Sequence, residues 1–269
     1  MKHKLGFIGT GVMAGAIINR ILGSIDTLNL TTSDIIVYDI DENKLGEFVN
    51  KGAIKANSTN EIFENAEIVM LGVKPQFYAD ILKQTPSIKC KTILSIMAGV
   101  KIATLRTFLG EDIGIVRIMP NTPCTIGKGV MALTFDNCNC DTQSFVLSLL
   151  DSCGKTLVID ESKFDAVTSI SGSGPAYVYA FADAMVQAGI KGGLTKEESK
   201  LLTLATIEGS ASYAGIAEYE LSTLVERVCS KGGTTIEAIT VFNDKGLANI
   251  IGEGINACRG KSKLLSEKL

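Results

Sequence analysis

The hydrophobic rhythm of this chain changes once, near Ser162. Before that point short apolar runs occur at Lys4–Ile8, Ile35–Asp39, Ile68–Val73, Thr92–Ser95, Gly114–Ile118, Val130–Phe135 and Thr156–Ile159. Between the first several lie amphipathic stretches of helical length: Val12–Leu22, Glu42–Lys51, Pro75–Gln84 and Ile102–Leu109. Short strands alternating with helices at this spacing are βαβ units, which build a mainly parallel sheet. The runs are nearly continuous in apolar residues, as expected of strands covered on both faces.

Beyond Ser162 no strand pattern is evident. Phe164–Ile170, Pro175–Ala188, Lys196–Tyr213, Glu220–Cys229, Thr235–Asn243 and Ile250–Glu267 read as helices, parted by glycine clusters such as Gly189–Gly193 and Gly232-Gly233. The helix from Pro175 is apolar almost all round (Tyr177, Val178, Tyr179, Phe181, Met185, Val186). Such a helix belongs inside a bundle or a subunit interface. The expected fold class is α/β: an N-terminal Rossmann-type doubly wound, mainly parallel sheet over residues 1–162 and an all-helical domain over 163–269. So much apolar helical surface suggests an oligomer.

Composition narrows the chemistry. The 269 residues include one histidine, His3, and no tryptophan. A Ser-His-Asp or Cys-His hydrolase needs an imidazole base, and this one sits at the chain's start, where it reads as a surface residue ahead of the first strand. A zinc site built on histidine is excluded for the same reason, and no C-x-x-C pair exists to make one from cysteine. The seven cysteines follow no framework spacing, which fits reduced thiols; Cys138 and Cys140 read as loop residues. Any catalysis must then use hydroxyls, carboxylates, lysines, backbone amides or a cofactor. A net charge of −3 provides no basic surface for nucleic acid. No signal peptide and no run of about 18 apolar residues occurs, so no membrane attachment is expected and the location is expected to be cytoplasmic.

Gly9-Thr10-Gly11-Val12-Met13-Ala14 follows the first strand and opens the first helix. This is G-x-G-x-x-G/A in the context that gives it meaning. Gly9 allows the tight turn, Gly11 lets backbone amides approach a pyrophosphate, and Ala14 permits close helix–strand packing; the helix N-terminus then holds the phosphates. Asp39 ends the second strand, where an acid hydrogen-bonds the adenosine ribose and repels a 2′-phosphate. It lies further from the glycines than the usual separation, with Gly23–Ser33 as the apparent insertion, and no Arg stands beside it. NADH is therefore expected over NADPH. In the helical half, Ser171-Gly-Ser173-Gly174-Pro175 and Gly232-Gly233-Thr234-Thr235 both read as glycine-rich helix starts with a hydroxyl cap. Each is a plausible site for a small carboxylate.

Taken in order, Gly9–Ala14, Gly72-Val-Lys-Pro-Gln76, Ser95-Ile-Met-Ala-Gly99, Arg117-Ile-Met-Pro-Asn-Thr-Pro123, Ser171–Tyr177 and Gly232–Ile236 resemble the pyrroline-5-carboxylate reductase family over the full length. The resemblance implies reduction of 1-pyrroline-5-carboxylate to L-proline with NAD(P)H, the last step of proline biosynthesis. It implies a homodimer formed through the helical domain, often assembled into larger rings. It also implies residue roles. Val73, Lys74 and Pro75 line the dinucleotide; Ala98 and Gly99 lie beside the nicotinamide, with Asn121 and Pro123 in a loop reaching the same side. Gly233, Thr234 and Thr235 bind the substrate carboxylate through backbone amides, with Ser173 and Glu218 close to the substrate. The Thr235 hydroxyl is the candidate catalytic partner of the ring nitrogen.

The chain departs from the family at three places. Many members carry Ser or Asn, often followed by Arg, near Asp39 and prefer NADPH. Lys231 stands where Pro is usual, and Ala205-Thr206 where Gln-Thr is frequent. Two other readings compete. A β-hydroxyacid dehydrogenase joins similar halves but relies on a lysine on the first long helix of its second domain; Lys163 and Lys191 fall outside Pro175–Ala188. A non-catalytic dinucleotide-binding paralogue is the other.

Overall fold

The computed structural model describes residues 2–268; the outermost residues of the two expected domains, 1 and 269, lie outside the described residues. Eight strands form one sheet: β1 (His3–Ile8), β2 (Ile35–Tyr38), β3 (Ile54–Lys55), β4 (Ala66–Leu71), β5 (Thr92–Ser95), β6 (Gly114–Met119), β7 (Gly129–Asp136) and β8 (Gly154–Val158). Their order is β3-β2-β1-β4-β5-β6-β7-β8. Every neighbouring pair is parallel except β6 and β7, which run antiparallel with Ile118 opposite Leu133.

The helices are α1 (Val12–Leu22), α2 (Gly46–Asn50), α3 (Thr59–Asn65), α4 (Tyr78–Gln84), α5 (Ile102–Leu109), α6 (Cys140–Asp151), α7 (Phe164–Val167), α8 (Gly174–Lys191), α9 (Lys196–Ala214), α10 (Leu221–Val228), α11 (Thr234–Asp244) and α12 (Leu247–Ser266). Successive side chains of a strand point to opposite faces, and the sheet uses both. Leu5 and Phe7 of β1 join α1 and α6 residues in one buried cluster. Ile8, on the other face, joins α3, α4 and α5 residues in a second. The sheet is thus wound on both sides, and the reversal of strand order falls between β1 and β4, the place where open α/β sheets bind ligands at the strands' carboxyl ends.

Three elements went unread in the sequence. β3 spans only two residues. α3 has seven, started by Ser58, whose hydroxyl accepts from Glu61 N. α6 starts at Cys140, capped by Asn139, whose side chain accepts from Thr142 N; Cys140 is therefore helical, and of the two cysteines only Cys138 lies outside helix and strand. Two expected helices are broken at their starts: 3-10 turns at Glu42–Lys44 and Pro75–Phe77 precede α2 and α4. His3 belongs to β1 rather than preceding it, and its Nδ1 lies 2.6 Å from the Ser33 carbonyl oxygen.

By contacts the chain divides at Ser173/Gly174, and the residues from Cys258 onward return to the first unit. The expected single boundary at 162/163 differs from this for an identifiable reason. The last turns of α12 bond to the segment after the boundary: Ser262 Oγ donates to Asp165 Oδ1 at 2.7 Å, and Cys258 Sγ donates to Ser173 Oγ at 3.3 Å. In the second unit α8 packs on α9 through small residues, with Ser199 Oγ donating to the Val186 carbonyl at 2.8 Å. Ala182, Ser199 and Thr203 are buried there. Among the described residues no helix is long and apolar enough to cross a membrane.

Candidate active site

The turn after β1 is shaped for a phosphate. Gly9 has φ +89°, the left-handed region that favours glycine. A Cβ there would also lie 2.9 Å from both the Gly72 carbonyl carbon and Val73 Cγ1. Gly72 is just as constrained, since its Cβ would lie 2.5 Å from Ala14 Cβ. Ala14 therefore packs against Gly72 after β4, which makes Gly72 part of the motif although it sits far away in sequence. Gly11 is different: a Cβ there would meet nothing within 4 Å. The protein gains no packing from glycine at this position, so the missing side chain leaves a cradle open to a ligand. Gly11 is also the N-cap of α1, and neither a side-chain cap nor an acidic first-turn residue blocks the helix end. A free helix N-terminus behind a glycine turn fits a dinucleotide pyrophosphate. Val12 is 87% exposed at the same turn.

Asp39 joins this turn directly. Its Oδ2 accepts from Thr10 N at 2.7 Å and Thr10 Oγ1 at 3.0 Å, and its Oδ1 accepts from Asp41 N at 2.9 Å. Burial raises the Asp39 pKa, but the Thr10 and Asp41 amides and the Thr10 hydroxyl outweigh it, and the net shift is downward. The carboxylate is thus a held anion at the end of β2. The insertion at Gly23–Ser33 lengthens the sequence between Thr10 and Asp39 without separating them, and the threonine hydroxyl that completes the pair gave no sequence signal. Ile40 beside it is 91% exposed.

The remaining candidates of the first unit lie beyond strand ends. β4 stops at Leu71, so Val73, Lys74 and Pro75 follow the strand, and Pro75 opens a 3-10 turn. β5 stops at Ser95, and Ala98 and Gly99 form a turn, with Gly99 at φ +82°. Asn121 starts the loop after β6 and is buried. Its Oδ1 accepts from Val130 N at 2.8 Å and its Nδ2 donates to the Ser171 carbonyl at 3.1 Å. Its side chain holds the loop, and its own carbonyl accepts from Cys124 N at 3.1 Å. Cys124 in this loop touches Met13 of the glycine motif, Sγ to Sδ 3.6 Å. Arg117 lies in β6. It is buried, pairs with Glu161 at 2.8 Å, and lies 4.5 Å from the centre of the Phe164 ring.

Ser173 or Gly174 is expected to cap the start of α8; Gly174 is already the first residue of that helix, and Ser173 lies directly before it. Thr168–Gly172 forms a π-helical turn, Ser173 continues it in helical conformation, and Ser173 N donates to the Thr168 carbonyl at 2.8 Å. The Ser173 amide is thus spent in the chain, and its hydroxyl is the group left to donate. In the second unit, α11 begins at Thr234, one residue earlier than expected, with Gly233 as its N-cap in extended conformation. No threonine hydroxyl caps it; glycine has none to give, so the first-turn amides of Thr234 and Thr235 meet no side-chain acceptor. Gly232, at φ +72°, turns the chain into this position. Glu218 is exposed in the connection between α9 and α10. Lys191 proves to be the last residue of α8, so that helix does carry a lysine, about 25 Å from its start at 1.5 Å per residue.

Fold and glycine turn together define a Rossmann-type dinucleotide-binding protein with a helical second unit. The model named pyrroline-5-carboxylate reductase dimerisation matches residues 161–265, and the model named NADP oxidoreductase coenzyme F420-dependent matches residues 4–99. Pyrroline-5-carboxylate reductase of Aquifex aeolicus is 36% identical over 98% of both chains, and that of Escherichia coli 33% identical over 99% of this chain and 100% of its own. A solved structure of Plasmodium falciparum pyrroline carboxylate reductase with NADP bound superposes with TM-score 0.88 at 30% identity, covering 98% of each chain. The chain belongs to the pyrroline-5-carboxylate reductase family.

Proposed function

We propose that this protein reduces 1-pyrroline-5-carboxylate to L-proline, the last step of proline biosynthesis, with a nicotinamide dinucleotide as reductant. The observation that carries the reading is the match to reductases of that name over nearly the whole of both chains. When bound, NAD(P)H supplies the hydride, and the protein supplies position and electrostatics. The Gly9–Ala14 turn and the α1 N-terminus hold the pyrophosphate. Val73, Lys74 and Pro75 line the dinucleotide, and Ala98, Gly99 and the Asn121 loop flank its nicotinamide end. The amides of Thr234 and Thr235 beyond Gly233 take the substrate carboxylate, the Thr235 hydroxyl aligns the ring nitrogen, and Ser173 and Glu218 attend the substrate. The imine nitrogen is basic enough to take its proton from water or from a bonded hydroxyl. A protonated C=N is a good hydride acceptor, so no imidazole is required. Orientation of the two rings supplies several kcal/mol of the rate, up to about 7–11 in ideal cases.

Asp39 supports NADH as the preferred coenzyme. Its carboxylate is held ionised at the end of β2, where an acid disfavours a 2′-phosphate, and Oδ1 retains a lone pair that a ribose hydroxyl could use. The protein works as a homodimer through its helical part, with rings of dimers as the larger assembly, in the cytoplasm. An apolar groove of about 760 Å³ lined by Tyr177, Phe181, Met185, Ile207, Ile250 and Ile251 supports the dimer. Residues 1–162 serve the coenzyme and 163–269 the substrate and the dimer.

Purified protein, pyrroline-5-carboxylate and either NADH or NADPH, followed by loss of reduced-coenzyme absorbance, tests the reading. Turnover with higher kcat/KM for NADH is expected. Higher kcat/KM for NADPH would refute the coenzyme assignment, and NADH binding without turnover would refute the reaction.

A further inference from the structure

The hydroxyls around the π-helical turn do not all behave alike. Thr168 Oγ1 donates to the Phe164 carbonyl at 2.8 Å, Ser169 Oγ to the Ala166 carbonyl at 2.9 Å, and Ser171 Oγ to the Val167 carbonyl at 3.1 Å. This back-bonding is the ordinary fate of serine and threonine in a helix. Ser173 breaks the series. Its Oγ accepts from the Cys258 thiol at 3.3 Å. A hydroxyl has one proton and two lone pairs, and a thioether or thiol sulfur is a poor acceptor. With the thiol proton on one lone pair, the Ser173 proton is turned away from Cys258 and given to no carbonyl of the turn.

The rest of the turn is fixed around this hydroxyl. Ser173 N is spent on the Thr168 carbonyl, and the Ser171 carbonyl takes the Asn121 amide. Gly172 abuts Met119, whose Cε would lie 2.5 Å from a Cβ placed there. Cys258 and Ser173 both belong to the first unit, into which α12 returns at that residue. Ser173 is half-buried, accessible enough to meet a small molecule.

We propose that Cys258 is a positioning residue for the substrate: its thiol sets the Ser173 hydroxyl as a one-way donor, aimed at the carboxylate of the cyclic imino acid. The proposal rests on the assignment of Ser173 to the substrate above. A hydroxyl proton donated to a carboxylate makes a charge-assisted bond, and pre-setting its direction removes the competing rotamers that would give the proton to the turn's own carbonyls. Cysteine at this position thus acts through serine and touches no reacting atom.

Steady-state kinetics of the full-length protein tests this. Cys258→Ala should raise KM for pyrroline-5-carboxylate about three- to tenfold, the worth of one hydrogen bond, with KM for the coenzyme unchanged. Cys258→Ser keeps a donor and should restore KM to within about twofold of the parent. Ser173→Ala should raise the same KM by at least as much, and Cys258→Ala placed on top of it should add nothing. Should Cys258→Ala melt below the assay temperature, Cys258→Val, which fills the space without a donor, takes its place. An unchanged KM in Ser173→Ala would overturn the Ser173 assignment and the proposal with it. A raised KM in Ser173→Ala beside an unchanged one in Cys258→Ala, or additive effects in the double variant, would overturn the Cys258 role alone.

Discussion

α1 and α8 are both apolar helices, and they meet opposite fates. α1 buries Ala14, Gly15, Ala16, Ile17, Ile18 and Ile21 against the sheet. α8 buries only Ala182, and leaves Tyr177, Val178, Tyr179 and Phe181 between 40% and 61% exposed. α9, α10 and α12 repeat the pattern, with Leu201 at 69%, Val228 at 68% and Ile250 at 61%. The sheet gives the first unit a surface to close on within one chain. The helical unit has no such surface, and a contiguous apolar face of this kind marks an interaction site. The apolar face therefore lies in the part of the chain that matches the dimerisation model, residues 161–265, and not in the sheet unit.

The comparison can be broken at several points. Ile17→Asp places an unpaired carboxylate at a fully buried site; a loss of more than about 4 kcal/mol is expected, read in chemical denaturation. Phe181→Asp should leave the circular dichroism of the protein intact and instead weaken self-association by about 2 kcal/mol or more, the scale of an interface anchor, read by sedimentation. If it unfolds the chain instead, the contrast between the two helices is wrong.

Within the site, Thr235→Ala should cost about 1–3 kcal/mol in kcat/KM if the ring nitrogen is left unpaired, with the dissociation constant of NADH unchanged by fluorescence titration. Gly11→Ala should change stability by less than about 1 kcal/mol, because its Cβ meets nothing in the protein. Coenzyme affinity should fall at least about tenfold, or 1.4 kcal/mol. A normal affinity would show that the open cradle is not the pyrophosphate site.

The smallest effect concerns acid. The Asp39 pKa is lowered on folding from its ordinary 3.8, so its contribution is fully present above that value and is lost as pH falls through the folded-state value. Asp39→Asn should therefore narrow the stability difference between pH 6 and pH 3, measured as urea midpoints; an unchanged difference would show that the Thr10 bonds do not stabilise the anion.

How far the sequence was legible follows from how local each signal is. The Gly9–Ala14 turn lies in six consecutive residues, and its context of strand and helix is read from periodicity, so it was plain. The Thr10–Asp39 pair was half legible: the acid at a strand end could be named, but the hydroxyl that grips it depends on how the chain folds around the Gly23–Ser33 insertion. Gly72 owes its necessity to Ala14, a relation only the packed sheet creates. Ser171–Pro175 misled because serine, glycine and proline spell a cap, whereas the hydroxyls of Thr168, Ser169 and Ser171 bond backward and favour a wide helical turn. The Gly233 N-cap was misassigned to threonine by one residue, since glycine and threonine are both acceptable at that place. α3 yields few periodic positions in its seven residues, and the first half of α6 is almost wholly polar (Asp141, Thr142, Gln143, Ser144), although Ser58 and Asn139 are readable starts.

The return of α12 at Cys258 has a consequence for the way the helical unit can come apart. Its chain enters the first unit at both of its ends, Ser173/Gly174 and Ala257/Cys258. A helical unit that loosens on its own therefore becomes a closed loop rather than a free tail. A loop has fewer conformations open to it than a tail of equal length, so local opening gains less entropy here than in a terminal domain. Severing the chain in the exposed connection at Glu218 would leave each helical piece with one anchor, and that loss would show as faster proteolysis of the helices with the nucleotide half still folded.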